Sequence, residues 1–235
     1  VFDDDPTGSQ TVYNCPLLLK WDEKTLLKAI ESSANVIFIL ANTRALASLQ
    51  AQSRIREICQ SIKNILNNKR ININDIFFIS RGDSTLRGHG FVEPKVLNEE
   101  LGPFDATFHI PAFLEGGRTT VNGLHLLDGK PLHSTIFAQD NIFGYSTSNM
   151  PLWLEEKSKG IIKARDVSLI SLKELDLAFH SQAGMNNLLE RLLGLRGNQS
   201  LIVDAESPHQ LLSFAEAVKT LKGRKRFLAR SAASF

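Results

Sequence analysis

Ser200-Leu201-Ile202-Val203-Asp204-Ala205, then Pro208 to Leu221, then Arg226-Phe227-Leu228-Ala229 is the stretch that decides the fold. It reads as strand, helix, strand. The same alternation runs back toward the amino terminus. Val1-Phe2 is the tail of a strand. Asp22 to Ala34 carries Leu26, Leu27 and Ile30 at helical spacing, with Asp22 placed to cap the helix. Asn35 to Ala41 is an unbroken apolar run, the pattern of a strand buried on both faces. Leu46 to Leu66 is a long amphipathic helix with Leu49, Ile55, Ile58, Ile62 and Leu66 as its inner stripe. Asp75 to Ser80 and Asp105 to Ile110 are strands, the second ending at Pro111. Phe91 to Leu101 between them is a helix interrupted near Pro94. Ile161 to Ala164 and Val167 to Leu172 read as strands, and Met185 to Leu195 as a helix. This alternation predicts an α/β fold: three-layer, Rossmann-like, a mainly parallel sheet with helices on both faces.

Residues 112 to 150 break the pattern. Gly116-Gly117, Asn122-Gly123, Asp128-Gly129 and Gly144 crowd turn signals together, and Thr120 to Leu127 with Asp128-Gly129 predicts a hairpin. An insertion containing that hairpin is expected around 112–150. No repeat and no linker long enough to divide the chain is present, so residues 1–235 read as one domain.

Composition agrees with an ordinary globular protein: 235 residues, 43% hydrophobic and 22% charged. Lys+Arg number 27 and Asp+Glu 25, a net charge of +2, too balanced to argue for nucleic acid or an anionic membrane as partner. The longest apolar runs are strand-sized, well short of the roughly 18 residues of a membrane span. Cys15 and Cys59 form no CxxC pair, which excludes a thiolate zinc site and suits a reducing, cytoplasmic setting. No signal peptide precedes the first motif. The chain opens without Met and closes on Arg230-Ser231-Ala232-Ala233-Ser234-Phe235 without a stop signal, so a piece of a longer protein is expected.

Ligands of open parallel sheets bind outside the carboxyl ends of the strands. Four clusters follow strands there: Asp3-Asp4-Asp5-Pro6-Thr7-Gly8-Ser9, Asn42-Thr43-Arg44, Ser80 to His89, and Pro111 to Thr120. Their carboxylates, guanidinium groups and hydroxyls suit a small, polyhydroxylated anion, because arginine clamps a carboxylate with two parallel hydrogen bonds. Asp5, furthest into its loop, is the candidate base for a substrate hydroxyl attacking a phosphoryl group. Arg81, Asp83, Ser84, Thr85 and Arg87 form the densest group and read as an anion site. Arg44 is balanced between a clamp and a solvent-facing helix start. Glu115 and Arg118 are expected to pair with each other. His89 is placed to reach the crevice. His109 reads as a satisfied core residue, and His125, His133, His180 and His209 carry no pattern. There is no GxxxxGK[ST] loop and no GxGxxG after a strand, so a nucleotide site is not evident in this chain.

Several motifs together resemble the four-carbon acid sugar kinases, in the family's order. They are Asp4-Asp5-Pro6-Thr7-Gly8, Thr43-Arg44, Arg81-Gly82-Asp83-Ser84-Thr85-Leu86-Arg87-Gly88 and Pro111-Ala112-Phe113. Gly117-Arg118-Thr119-Thr120, Gly129-Lys130-Pro131-Leu132, Phe137-Ala138-Gln139-Asp140, Val203-Asp204-Ala205 and Arg230 to Ser234 follow. The resemblance implies an amino-terminal domain binding the acid sugar, and a carboxyl-terminal domain outside this chain that binds most of the ATP and Mg²⁺. It implies phosphorylation of a threonate- or erythronate-like acid at its terminal hydroxyl. Asp4, Asp5, Arg44, Arg81, Gly82, Asp83, Ser84, Thr85 and Arg87 would contact substrate, with Asp5 as base. A homodimer is compatible, and the fragment alone is expected to bind without turnover. Arg81-Gly82 replaces the family's usual Lys at the start of its motif. The triple Asp replaces Ala-Asp-Asp in the first loop. Two other readings compete. One is a haloacid-dehalogenase-type Mg-dependent phosphatase with Asp3-x-Asp5-x-Thr7 as its loop and Asp3 as nucleophile. The other is a non-catalytic sugar-acid-binding module.

Overall fold

The computed structural model describes residues 1–8, 12–32 and 34–235; Ser9 of the first cluster lies outside them. In chain order the strands and helices begin with β1 (Phe2–Asp3), β2 (Leu17–Leu18), α1 (Glu23–Ile30), β3 (Phe38–Leu40) and α2 (Ser48–Lys69). β4 (Phe78–Arg81), α3 (Val92–Leu101) and β5 (Ala106–Ile110) follow. The insertion carries β6 (Arg118–Val121), β7 (Leu124–Leu127), β8 (Lys130–Pro131) and α4 (Met150–Lys157). The chain closes with β9 (Ser168–Ile170), α5 (Leu172–His180), α6 (Gln182–Gly194), β10 (Gln199–Val203), α7 (Pro208–Thr220) and β11 (Phe227–Ser231).

Among the described residues eight strands form one sheet in the order β2-β3-β1-β4-β11-β5-β10-β9, and every pairing in it is parallel. Successive residues of a strand point to opposite faces, and two cores result. Phe227 and Ala229 join Phe108, Ile110, Leu201 and Val203 under α5, α6 and α7. Leu228 turns the other way and joins Phe2, Ile39 and Phe78 under α1, α2 and α3. Arg230, two residues beyond Leu228, therefore also points toward α3. The insertion is a separate antiparallel sheet, β6-β7-β8, with turns at Asn122-Gly123 and Asp128-Gly129. No helix among the described residues is long and apolar enough to cross a membrane.

Three local expectations are corrected. Leu49 is 79% exposed and does not belong to the inner stripe, whereas Ile55, Ile58, Ile62 and Leu66 are buried. Pro94 does not interrupt α3, because it is the third residue of that helix, where a backbone N–H has no intrahelical partner to lose. Residues 161–164 form no strand; a single 3₁₀ turn, Ala164–Asp166, precedes β9. The expected hairpin is present: β7 turns through Asp128-Gly129 into β8 and also pairs β6 across Asn122-Gly123, which makes it part of a three-stranded meander. The helices α4 and α5 were not expected. Asn149 caps α4, a segment whose apolar spacing is weak, and Ser171 with Glu174 forms a capping box on α5, which buries Leu175 and Ala178.

The stripe makes a simple stability contrast. Ile58→Ala is expected to cost about 2–5 kcal/mol, and Leu49→Gln to stay within about 0.5 kcal/mol. Urea denaturation of the two variants checks this, and equal losses would show that α2 is seated differently.

Candidate functional site

The register of the sheet sets the site. Asp3 lies opposite Leu40 and Arg81, Arg81 opposite Ser231, and Ser231 opposite Ile110. The strands thus end level, and the loops after β1, β3, β4 and β5 leave from one edge.

A buried charge network lies just inside that edge. Asp4 is 1% exposed. Its carboxylate accepts from Arg44 Nη2 at 2.6 Å and Nε at 3.3 Å, and from Arg230 Nη2 at 3.4 Å. Arg230 Nη1 donates to Glu93 at 2.5 Å and to Ser80 Oγ at 2.7 Å. Glu93, on α3, also accepts from Thr43 Oγ1 at 2.5 Å and Ser80 Oγ at 2.8 Å. Thr43, Glu93, Arg230, Asp4 and Arg44 thereby close a ring, since Arg44 follows Thr43 in the chain. Burial pushes the Asp4 carboxyl up to about 6, against the pull of Arg230 and Arg44. The loop after β4 packs tightly on this ring: a Cβ on Gly82 would lie 2.1 Å from Arg230 Nη2. Beside the ring, Asp3 is fully buried and meets Arg81 at 3.4 Å, and burial raises its pKa.

Above the network stand groups that reach solvent. Asp5 Oδ1 accepts from Thr7 N and Oγ1, while Oδ2 sits 3.5 Å from Arg44 Nη1. Partial burial raises the Asp5 pKa, but the Thr7 hydroxyl, the Thr7 N–H and Arg44 outweigh it and hold it below the ordinary carboxylate value. Asp83 accepts from Thr85 N at 3.0 Å, Thr85 Oγ1 at 2.5 Å and Arg87 Nε at 2.6 Å. Burial opposes those bonds and loses, so Asp83 too is held low. Side-chain exposure separates the groups: Asp5 26%, Arg44 20% and Arg87 33%, against 0% for Asp3 and Asp4.

The structure thus brings Asp5, Arg44, Asp83 and Arg87 together. Asp4, Arg81, Ser84 and Thr85 are buried beneath or beside them. The insertion is fastened to the Gly82–Arg87 loop by two buried side chains. Tyr145 donates its hydroxyl to the Thr85 carbonyl at 2.9 Å, and His125 Nε2 lies 2.7 Å from the Ser84 carbonyl. A carbonyl only accepts, so Nε2 carries the proton and Nδ1 accepts from Thr120 Oγ1 at 2.9 Å. Burial pulls the His125 pKa down to about 4, which keeps the ring neutral at physiological pH.

Three further expectations are corrected. Glu115 and Arg118 do not pair: Glu115 accepts from Ser234 Oγ, and Arg118 donates to the Gly116 carbonyl. His89 does not reach the crevice, because it is buried with Nε2 2.9 Å from the Leu46 carbonyl and its ring on Phe143. His109 is buried but unsatisfied, with neither ring nitrogen hydrogen-bonded to a described residue, and burial lowers its pKa to about 3. Its register partner Arg230 is turned toward Glu93 instead.

Arg230, Glu93, Thr43, His125 and Tyr145 were not singled out from the sequence as site residues. For Arg230 and Glu93 the available signal was a charge inside an apolar element: Phe227-Leu228-Ala229 before one, Val96-Leu97 after the other.

A groove of about 1030 Å³ lies elsewhere, lined largely by apolar side chains such as Ile37, Ile79, Leu211, Val218 and Phe235. Glu115 lines it, but Asp3, Asp4, Asp5, Arg44, Arg81, Asp83, Arg87 and Arg230 do not, and its mainly apolar walls offer few partners for hydroxyls. The polar cluster is therefore the better candidate site for a hydrophilic ligand. Among the described residues no group of three or more His, Cys, Asp or Glu is placed to hold a metal ion.

Known proteins share both sequence and fold with this chain. The family model described as a sugar-binding N-terminal domain matches residues 1–235. A D-erythronate kinase of Heliobacterium modesticaldum is 35% identical over 106 residues, which is 45% of this chain and 22% of that protein. The crystal structure of a Haemophilus influenzae protein aligns over 99% of this chain and 53% of its own, at 19% identity and a TM-score of 0.69. A domain of unknown function from Bordetella bronchiseptica, crystallised with bound citrate as a domain-swapped dimer, aligns over 99% and 53% at 20% identity and a TM-score of 0.72. The chain spans about half the length of these solved structures. Its full-length match to the family model, in the motif order expected of a four-carbon acid sugar kinase, leads to one assignment: the chain belongs to the family of sugar-binding N-terminal domains.

Proposed function

We propose that residues 1–235 are the acid-sugar-binding domain of an ATP-dependent kinase acting on the terminal hydroxyl of an erythronate- or threonate-like acid. One observation carries the reading. Asp5 presents Oδ2, ion-paired with Arg44 but hydrogen-bonded to no described residue, at the mouth of converging strand-tip loops, above a network already neutralised internally. In this reading Asp5, Arg44, Asp83 and Arg87 touch the substrate. Asp4, Arg81, Gly82, Ser84 and Thr85 hold the surface on which it sits. The resemblance to a D-erythronate kinase supports the substrate class. The citrate bound by the Bordetella bronchiseptica structure is a hydroxy acid of related chemistry, and that protein's domain-swapped dimer makes a homodimer the assembly to test.

In the reaction the terminal hydroxyl oxygen bonds to the γ-phosphorus of ATP as the bond to the β-phosphate oxygen breaks. ADP leaves, and the hydroxyl proton passes to Asp5 Oδ2. A base of low basicity suffices, because phosphoryl transfer passes through a loose transition state in which little proton transfer is needed early. Mg²⁺ would neutralise charge on the phosphates, held with ATP by chain outside residues 1–235.

The phosphatase reading needs Asp3 as nucleophile, but Asp3 is 0% exposed and faces Arg81. The test is the full-length protein with ATP, Mg²⁺ and each of the four-carbon sugar acids, followed by ³¹P NMR. A phosphorylated acid and ADP are expected. Hydrolysis of a generic phosphate ester with no acid phosphorylated would replace this reading with the phosphatase. Binding of a sugar acid without turnover would leave a binding module.

A further inference from the structure

Among the arginines at the carboxyl edge of the sheet, one differs from the rest. Arg44, Arg81, Arg87 and Arg230 each meet a carboxylate. Arg118, at the start of β6, forms no ion pair with any described residue. Its Nη1 donates to the Gly116 carbonyl at 2.6 Å, and its Nε is buried with no hydrogen-bond partner among the described residues. Its guanidinium carbon lies 5.7 Å from the centre of the Phe113 ring and 6.0 Å from that of Phe137. The Arg87 guanidinium carbon lies 5.3 Å from the same Phe137 ring. Two cations therefore share one aromatic ring, and only Arg87 is neutralised, by Asp83.

Aromatic faces hold a guanidinium in place without cancelling its charge. The backbone of the preceding loop also closes on Arg118, since a Cβ on Gly116 would lie 2.4 Å from its Nη1. A fixed, unneutralised guanidinium with a free buried donor is built to receive an oxyanion. We propose that Arg118, beside Arg87 and Phe137, is the anion clamp of this site and takes the carboxylate of the sugar acid. This extends the kinase reading and rests on it for the identity of the acid. Asp5 then faces the opposite, hydroxyl end of the ligand, so the insertion around 112–150 supplies specificity for acids over neutral polyols.

The test is isothermal titration of the full-length protein and its R118Q and R118K variants with D-erythronate, with ATP and with inorganic phosphate, each variant first checked by thermal melting. R118Q should weaken erythronate binding on the order of tenfold to a hundredfold, as expected for loss of a charge-assisted hydrogen bond. ATP binding should be unchanged. R118K, which keeps the charge and loses the planar fork, should fall between R118Q and the native protein. Erythronate binding within twofold of native in R118Q overturns the proposal. So does a loss confined to ATP. A protein that binds no sugar acid but shows phosphate binding dependent on Arg118 keeps the clamp and discards the substrate reading, so the two failures are told apart.

Discussion

Glu93→Gln is expected to lower stability by about 3–5 kcal/mol, the range for breaking a buried ion pair by removing one charge. Glu93 is 1% exposed and accepts from Thr43, Ser80 and Arg230 at once. Glutamine keeps the shape but removes the charge, and it offers an NH₂ group to neighbours that are already donors. Arg230, itself buried, would keep only Asp4 at 3.4 Å as a carboxylate partner. The uncompensated cation is the main cost. Arg230→Met should lose a comparable amount by stranding Glu93 and one side of Asp4. The double variant Glu93→Gln/Arg230→Met should lose less than the two single losses added, because its second substitution removes the charge that the first left unpaired. Urea denaturation of the three variants measures this. A loss below about 1 kcal/mol for Glu93→Gln, the ordinary size for a surface pair, would show that the network is wetter than its burial indicates.

Asp5→Asn should leave sugar-acid affinity within a few-fold of native but reduce turnover by about 10²–10⁴, the contribution typical of a positioned acid–base group. Asparagine still offers Oδ1 to the Thr7 N–H, so the turn survives, and what disappears is the acceptor for the hydroxyl proton. The pH profile separates this role from a purely structural one. Thr7 and Arg44 hold the Asp5 carboxyl below its ordinary value of 3.8, so it is ionised throughout the neutral range. Turnover in the native protein should therefore show no acid limb from Asp5 above about pH 5, since the proton is more than a unit away from binding there. Full-length native and Asp5→Asn proteins, assayed by ADP release and by titration with D-erythronate, decide the matter. Full turnover in Asp5→Asn would remove Asp5 from the proton path and leave Asp83, whose oxygens are already engaged by Thr85 and Arg87, as the acid to examine.

Much of the site was legible because its parts are local. The loops holding Asp5, Arg44 and Asp83 each directly follow an apolar run, and in a parallel sheet such positions share one edge. The bonds of Asp5 to Thr7 and of Asp83 to Thr85 span two residues, and residue type alone makes them plausible. Leu49 shows where local reading stops. It falls near the apolar spacing of α2, but it lies in the first turn, beyond the reach of the neighbouring elements that bury Ile55 and Ile58.

Arg118 and Arg230 lie past that limit. Glu115, three residues from Arg118, looked like its partner, yet the chain turns Glu115 to Ser234 and Arg118 between two phenyl rings. Arg230 meets Glu93 across 137 residues and Asp4 across 226, and no spacing rule connects positions that far apart. The amino-acid order by itself determined the alternation of strands and helices, the parallel sheet, and which loops carry charge, because each follows from side-chain periodicity and turn chemistry within a few residues. Only the tertiary structure decided which of those charges are buried against one another and which stay open to a ligand, because pairing of buried charges depends on strand order and register, which bring distant residues within a few ångströms.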